Sequence, residues 1–434
     1  MTSKPRIGPM LRLVLGVGWL LAPFARPLLK RRLAKGKEDP ARWSEKLGEA
    51  TMARPDGPLV WMHGVGVGEV MALRGLIDQL AETRPDLQFL VTSSARSSGE
   101  VFAKNLPANT RHQYLPLDLP KPVNDFLDHW KPDLAIWSDQ EIWPRMAVTC
   151  ARRGIPQAYV AARITKASAK AKSRFGSAYG DLFRLLDTRH AQDAGTAAHM
   201  AALMADDTPV KVSGSLKAAG AALVDDPAAR AAFEAAVGRR SVWVAASAHP
   251  ADIERVLEVQ YDVRREGGKD WLLVIAPRRL EDAALVENGC RDFHLSFCHR
   301  SHGVLPDETT DVYIADTFSE LGLWYRSSFV TLIGGTFEPI NGHNPWEAVA
   351  LDCPVLHGPY VENFRADFSI LDEANAAVEI GRYGSDIGED VGDMISVLNS
   401  FDLAGYAKRA HAVRSVATDG LTQIVADLLG LLRG

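Results

Sequence analysis

The chain has 434 residues, 47% of them apolar and 24% charged, proportions that suit a globular protein with real cores; the length points to two domains or three. A formal net charge of −5 argues against nucleic acid as the main partner. Four cysteines, at 150, 290, 298 and 353, have neither metal-ligand spacing nor the density of a disulfide scaffold, so a reducing, cytosolic environment is the simpler reading; no zinc-type histidine pair occurs.

The N-terminus stands apart. Met10 to Leu29 is strongly apolar, interrupted by Arg12, Pro23, Arg26 and Pro27, and its uninterrupted part is shorter than the roughly 20 residues a bilayer span needs. Lys30, Arg31, Arg32, Lys35 and Lys37 follow, an arrangement that suits anionic lipid at a cytoplasmic surface. The stronger charge lies after the apolar stretch and no clear Ala-x-Ala site follows, against a cleavable signal peptide. Residues 1–37 are therefore expected to be a membrane-associated segment; spanning and lying flat are both open, and a helix packed on the protein's own surface is the alternative.

An α/β rhythm then begins, assigned to a first Rossmann-like domain over 38–218. Strands are expected at Leu59 to His63, Phe89 to Thr92, Leu134 to Trp137 and Gln157 to Ala161, with further strand ends at Arg189 to Gln192 and Val210 to Val212. After the first strand, Gly64-Val65-Gly66-Val67-Gly68-Glu69 precedes a helical pattern from Val70 to Arg84. Its spacing is not that of the dinucleotide fingerprint. Glu69 sits in the first turn of this helix, at the carboxyl end of a strand, where a carboxylate can take a proton from an attacking hydroxyl; the alternative is a residue that only complements the helix dipole. Asp139 and Glu141 form a second acidic pair at a strand end, before Trp143-Pro144. Arg163, Lys166, Lys170, Lys172 and Arg174 form a basic run that either meets an acceptor's phosphates or is a solvated helix face.

The Ala-rich stretch 218–237 reads as a helical linker, and a second Rossmann-like domain is assigned to 219–434. Ser241 to Ala246, Trp271 to Ala276, Val312 to Ile314, Phe329 to Ile333 and Cys353 to Leu356 are its expected strands. Arg278 follows one of them and can reach a nucleotide's phosphate or base, as can Lys217 from the first domain. After Phe329 to Ile333 comes Gly334-Gly335-Thr336-Phe337-Glu338-Pro339-Ile340-Asn341-Gly342-His343-Asn344-Pro345-Trp346-Glu347. Here Asn344 is expected to cap a helix opening at Pro345, its start suited to a phosphate, with Glu347 one turn in to accept bonds from sugar hydroxyls. Such turns also simply connect elements. Two α/β halves with a cleft between them follow the rule that open parallel sheets bind ligands at the carboxyl ends of their strands.

In this order, the motifs resemble those of the 3-deoxy-D-manno-octulosonic acid (Kdo) transferases, lipopolysaccharide-building enzymes of the two-Rossmann-domain GT-B type. The family's His-Ala-Val-Ser-Val-Gly-Glu is His63 to Glu69 here, and its Glu-Thr-Glu-Leu-Trp-Pro is Asp139 to Pro144. Asn-Ala-Arg-Leu stands as Ala161 to Ile164, Gly-Asn-Leu-Lys as Gly214 to Lys217 and Pro-Arg-His as Pro277 to Arg279. Gly-Gly-His-Asn-Pro-Leu-Glu-Pro is Asn341 to Ala348, and Gly-Pro-His-x-x-Asn-Phe is Gly358 to Phe364.

The resemblance implies transfer of Kdo from CMP-Kdo to a phosphorylated, acylated lipid A precursor, with inversion and with neither metal nor other cofactor. Catalysis is expected of Glu69, with Asp139 and Glu141 beside it. Donor binding is expected of Lys217, Pro277, Arg278, Gly335, His343, Asn344, Glu347 and Asn363, and acceptor binding of Gly66, Gly68, Arg163 and Lys166. The implied location is the cytoplasmic face of a Gram-negative inner membrane. Gly66, Arg279 and Tyr360 depart from the family pattern and open the donor's identity and the number of sugars added. The alternatives are a related membrane-associated glycosyltransferase using another nucleotide sugar or acceptor, and a non-catalytic homologue.

Overall fold

A computed structural model describes residues 7–432 apart from 105, 140, 221, 266–269, 383 and 401. Gln140, within the quoted Asp139–Pro144 motif, therefore lies outside the described residues. The chain divides into two compact units, Met1–Ala219 with Val416–Gly434, and Gly220–Ser415.

In the first unit β1 (Leu59–His63), β2 (Gln88–Ser93), β3 (Thr110–Tyr114), β4 (Leu134–Ser138), β5 (Gln157–Ala162), β6 (Thr188–Ala191) and β7 (Lys211–Val212) form a sheet ordered β3-β2-β1-β4-β5-β6-β7. All its pairings are parallel. The central strands β1 and β4 are buried along their whole length, as a parallel sheet covered on both faces requires, and so read as unbroken apolar runs. In the second unit β8 (Ser241–Ala248), β9 (Trp271–Pro277), β10 (Phe297–His299), β11 (Val312–Ile314), β12 (Val330–Ile333), β13 (Val355–His357) and β14 (Ala377–Glu379) form a second parallel sheet, ordered β10-β11-β9-β8-β12-β13-β14. In each sheet the strand order reverses at the first strand of its unit, between β1 and β4 and between β8 and β12. Those are the positions where such folds bind ligands.

Three elements differ from the expectation. The linker helix covers only Pro227–Val237, because Asp226 caps it by accepting the N–H groups of Ala228 and Ala229, each at 3.0 Å, with Pro227 as its first residue. Residues 416–432, assigned from sequence to the second domain, pack with the first unit: Leu421, Ile424 and Leu428 of the helix Leu403–Leu431 are buried. The helix after Pro345 is one turn, Trp346–Val349, with Pro345 itself at the cap.

The N-terminal segment is helical from Pro9 to Ala34, 26 residues that are long and apolar enough to cross a membrane by length and composition. Its first part, Pro9–Leu21, packs on the helices Pro144–Arg152 and Ala178–Arg184 of the first unit.

Candidate functional site

At the carboxyl end of β1 the chain turns through Gly64 and enters the helix Val67–Thr83, with Gly66 as the extended cap residue. A Cβ on Gly64 would lie 3.2–3.3 Å from the backbone of Val70 and Glu69, so only glycine lets strand and helix come this close. Glu69 is the third helical residue. One carboxylate oxygen accepts the N–H of Val65 at 2.7 Å; the side chain also lines a small recess with Ser138, Asp139, Gln192, Ser215 and Lys217. Burial raises the Glu69 pKa to about 7, Asp139 adds to the rise, and Val65 N–H and Lys217 oppose it. Lys217 passes over Gly68, where a Cβ would lie 3.8 Å from the ammonium, in ordinary van der Waals contact.

The motifs around Glu69 hold one another. His63, wholly buried, faces the Thr92 carbonyl at 3.1 Å through Nδ1 and accepts Trp143 Nε1–H at 3.3 Å on Nε2, its pKa lowered to about 4 by burial. Ser138 Oγ donates to the His63 carbonyl at 2.7 Å, so β1 and β4 are cross-tied at the point where the strand order reverses. Asp139 has a left-handed backbone, φ 59°, and its carbonyl accepts both Tyr159 O–H at 2.9 Å and Arg163 N–H at 2.8 Å. Ala161, in the bulge of β5, is also left-handed at φ 47°. Non-glycine residues held in this region are strained, and two of them line the same recess.

Glu141 lies in the same charge field, its pKa raised by burial and lowered in turn by Lys172. From the basic run it is Lys172 that faces inward, its ammonium 4.9 Å from the Tyr179 ring centre, while Lys166 is exposed to solvent and Arg163 is half-buried. Gly66 is open: among the described residues nothing lies within 4 Å of where a Cβ would stand.

The second unit holds the remaining predicted residues. Pro277 ends β9 and, with Arg278, lines an open pocket of about 140 Å³ with the loop Thr317 to Leu321 and Trp324. That loop is pinned from outside the pocket. Arg300 Nη2 donates to Glu320 at 2.7 Å and its Nε to the same carboxylate at 3.1 Å; Thr317 Oγ1 also donates to Glu320. Asp316 accepts Ser301 N–H at 2.9 Å and sits 2.9 Å from His299 Nδ1. Sequence reasoning missed this wall, because its polar residues follow a three-residue strand with no glycine signature.

Gly334 and Gly335 bring β12 against β8. A Cβ on Gly334 would lie 2.2 Å from the Ser247 carbonyl, and Gly335 is left-handed at φ 70°. Asp252, buried and absent from the expectation, ties the two strand ends: its carboxylate accepts His249 N–H at 2.8 Å and Gly335 N–H at 2.7 Å, while burial raises its pKa to about 6. Its signal was the His249-Pro250-Ala251-Asp252 spacing, half of a capping box. His343 stacks on His249, ring centres 5.2 Å apart and Nε2 atoms 3.0 Å apart; burial first, and then Arg278, lowers its pKa to about 4.

Asn344, one residue before the Pro345 cap, accepts Trp346 N–H at 3.1 Å; the helix expected to open at Pro345 is a single turn, which sums almost no macrodipole. Glu347 is the second helical residue. Burial raises its pKa; Asn344, at 3.5 Å, and Arg278 counter the rise. Asn363 spends its amide on the Ile340 carbonyl at 2.9 Å, which closes the 335–342 loop. Arg278 thus lies in the field of both His343 and Glu347, while Asn363 and Gly335 shape the loop that carries them. Arg279 is turned to Asp282, Nε to Oδ2 at 3.0 Å.

The family model described as 3-deoxy-D-manno-octulosonic-acid transferase (kdotransferase) matches residues 41–219. The chain is 30% identical over 374 residues to the probable mitochondrial 3-deoxy-D-manno-octulosonic acid transferase of Arabidopsis thaliana, covering 84% of this chain and 83% of that protein. Against the 3-deoxy-D-manno-octulosonic acid transferase of Rickettsia felis it is 29% identical over 362 residues, 83% and 76% of the two chains. Among solved structures, MurG of Acinetobacter baumannii matches with a TM-score of 0.55 at 10% identity, over 86% of this chain and 99% of that one, a likeness of fold alone. With two seven-stranded parallel units of the GT-B glycosyltransferase type and relatives of one activity along most of its length, the chain belongs to the 3-deoxy-D-manno-octulosonic acid transferase family of glycosyltransferases.

Proposed function

We propose that the protein moves Kdo from CMP-Kdo to a hydroxyl of a phosphorylated lipid A precursor, with inversion and without a metal, at the cytoplasmic face of a Gram-negative inner membrane. The reading rests above all on Glu69. A carboxyl with a pKa near 7 is both ionised and basic enough near neutrality to accept an alcohol's proton in the transition state. As that proton passes to Glu69, the acceptor oxygen attacks the anomeric carbon from the face opposite CMP. The bond from that carbon to the phosphate oxygen breaks, and its electron pair leaves on CMP. Arg278, on its pocket in the second unit, supplies positive charge for the departing phosphate, which makes a divalent ion unnecessary. A phosphate leaves without needing a protein acid.

Glu69→Gln tests the reading. With freshly prepared CMP-Kdo and lipid A precursor, product counted by mass spectrometry should fall by about two to four powers of ten. CMP should still raise the melting temperature, and more than UDP does. Undiminished transfer removes Glu69 as base; equal stabilisation by UDP removes the CMP donor.

A further inference from the structure

We propose that the N-terminal helix is an in-plane membrane anchor, permanently packed on the first unit, and that it inserts one apolar face among anionic headgroups instead of spanning the bilayer. The inference rests on the membrane association proposed above and decides its geometry.

The helix has two apolar faces with different fates. Leu13, Val17, Leu20, Leu21, Phe24 and Leu28 follow the i, i+4, i+7, i+8, i+11, i+15 spacing of a single stripe, and all are exposed, Leu20 by 74% and Phe24 by 67%. On the other side Leu11, Ala25 and Leu29 are buried, and Ile7 and Leu11 belong to the hydrophobic core of the first unit. Polar contacts made for this position hold the packed face. Gly8 N–H donates to the Asp181 carboxylate at 2.8 Å, and the Arg145 guanidinium donates to the Leu15 carbonyl. Gly18 lies directly under this guanidinium, a Cβ there falling 3.0 Å from Arg145 Nη2.

A spanning helix would put this second face into hydrocarbon. That would strip Arg145 and Asp181 of their helix partners and open the core around Leu11, whereas a helix lying at the interface keeps every one of these contacts. The occupant of the exposed stripe follows from charge. Lys30, Arg31, Lys35 and Lys37 are exposed at its end, where they meet anionic headgroups, and a second copy of the chain would bring like charges together.

The test uses full-length protein in a Cys298→Ser background, the other cysteines being buried. Leu13→Cys, Leu20→Cys and Leu28→Cys each carry a spin label, and vesicles contain phosphatidylcholine with or without phosphatidylglycerol. The proposal expects all three labels at one shallow depth, about 5–10 Å into the interface, and tighter binding with phosphatidylglycerol. Leu20→Asp and Phe24→Asp should each weaken partitioning by about ten- to a hundredfold. Depths spread over roughly 22 Å from Leu13 to Leu28 mean that the helix spans, and overturn the in-plane geometry alone. Labels that never meet lipid remove the membrane association itself, and dipolar broadening between labels on different copies assigns the stripe to self-association; each overturns the proposal.

Discussion

Glu69 combines two demands that usually conflict. Its position as the third residue of a helix, with one oxygen on Val65 N–H, is that of a structural capping carboxylate, yet burial beside Asp139 raises its pKa from the ordinary 4.5 to about 7. Transfer should therefore rise with pH and level off above about pH 7. Asp139→Asn removes a negative neighbour, so the inflection should move to lower pH, as a pH–rate profile will read. The same shift acts on stability. The folded protein binds a proton at Glu69 between about pH 4.5 and 7 that the unfolded chain has released, so Glu69 lowers stability progressively across that window. Glu69→Gln should accordingly melt higher than the wild type at pH 8, with the gap closing near pH 5. Equal melting temperatures at both values would mean that the carboxyl is not shifted.

Among the elements, the pocket of the second unit depends on a loop braced from behind. Arg300 grips Glu320 through two nitrogens, and the pairing raises the Arg300 pKa and lowers that of Glu320. Arg300→Ala frees the wall Thr317 to Leu321. The expected result is a KM for the nucleotide donor raised on the order of tenfold with kcat little changed, since a half-buried charged hydrogen bond contributes about 1.5–3 kcal/mol. Arg300→Lys should restore only part, because an ammonium cannot reproduce the fork. Loss of kcat at unchanged KM would refute the loop's role in donor binding. The strands absent from the expectation, β3, β10 and β14, are all sheet edges, where an apolar run is not required. In β3, the buried His112 and Gln113 find partners elsewhere: Ser93 Oγ lies 2.9 Å from one, and Trp130 Nε1–H donates to the other at 2.8 Å. Periodicity cannot register such pairings, which are supplied by distant residues.

At the scale of the molecule, the last helix closes the first unit. Lys211 Nζ donates to Asp427 at 2.5 Å, and His190 Nε2 lies 2.9 Å from the same carboxylate. Two glycines bring the backbones together: a Cβ on Gly420 would lie 2.0 Å from the Ser213 carbonyl, and one on Gly214, at φ 74°, 2.7 Å from Ala417 Cα. Gly420→Ala must push two main chains apart, at a cost of about 1–3 kcal/mol, and should lower the melting temperature by several degrees. It should also disturb transfer, since Gly214 begins the stretch that carries Lys217 to Glu69. An unchanged melting curve would show that the contact is soft.

The sequence by itself determined the two α/β halves, most of their strands and the motifs that define the family, because buried parallel strands are written as local apolar runs and glycine turns carry their own signature. It also placed Glu69, Pro277 and Arg278 at strand ends. Tertiary structure alone decided which groups share a charge field, since Lys217, Asp139 and Glu69, or Asp252 and Gly335, are far apart along the chain and meet only when the sheets order their strands. It likewise decided that residues 416–432 pack with the first unit, since a helical pattern does not name its partner, and that the helix after Pro345 stops after one turn.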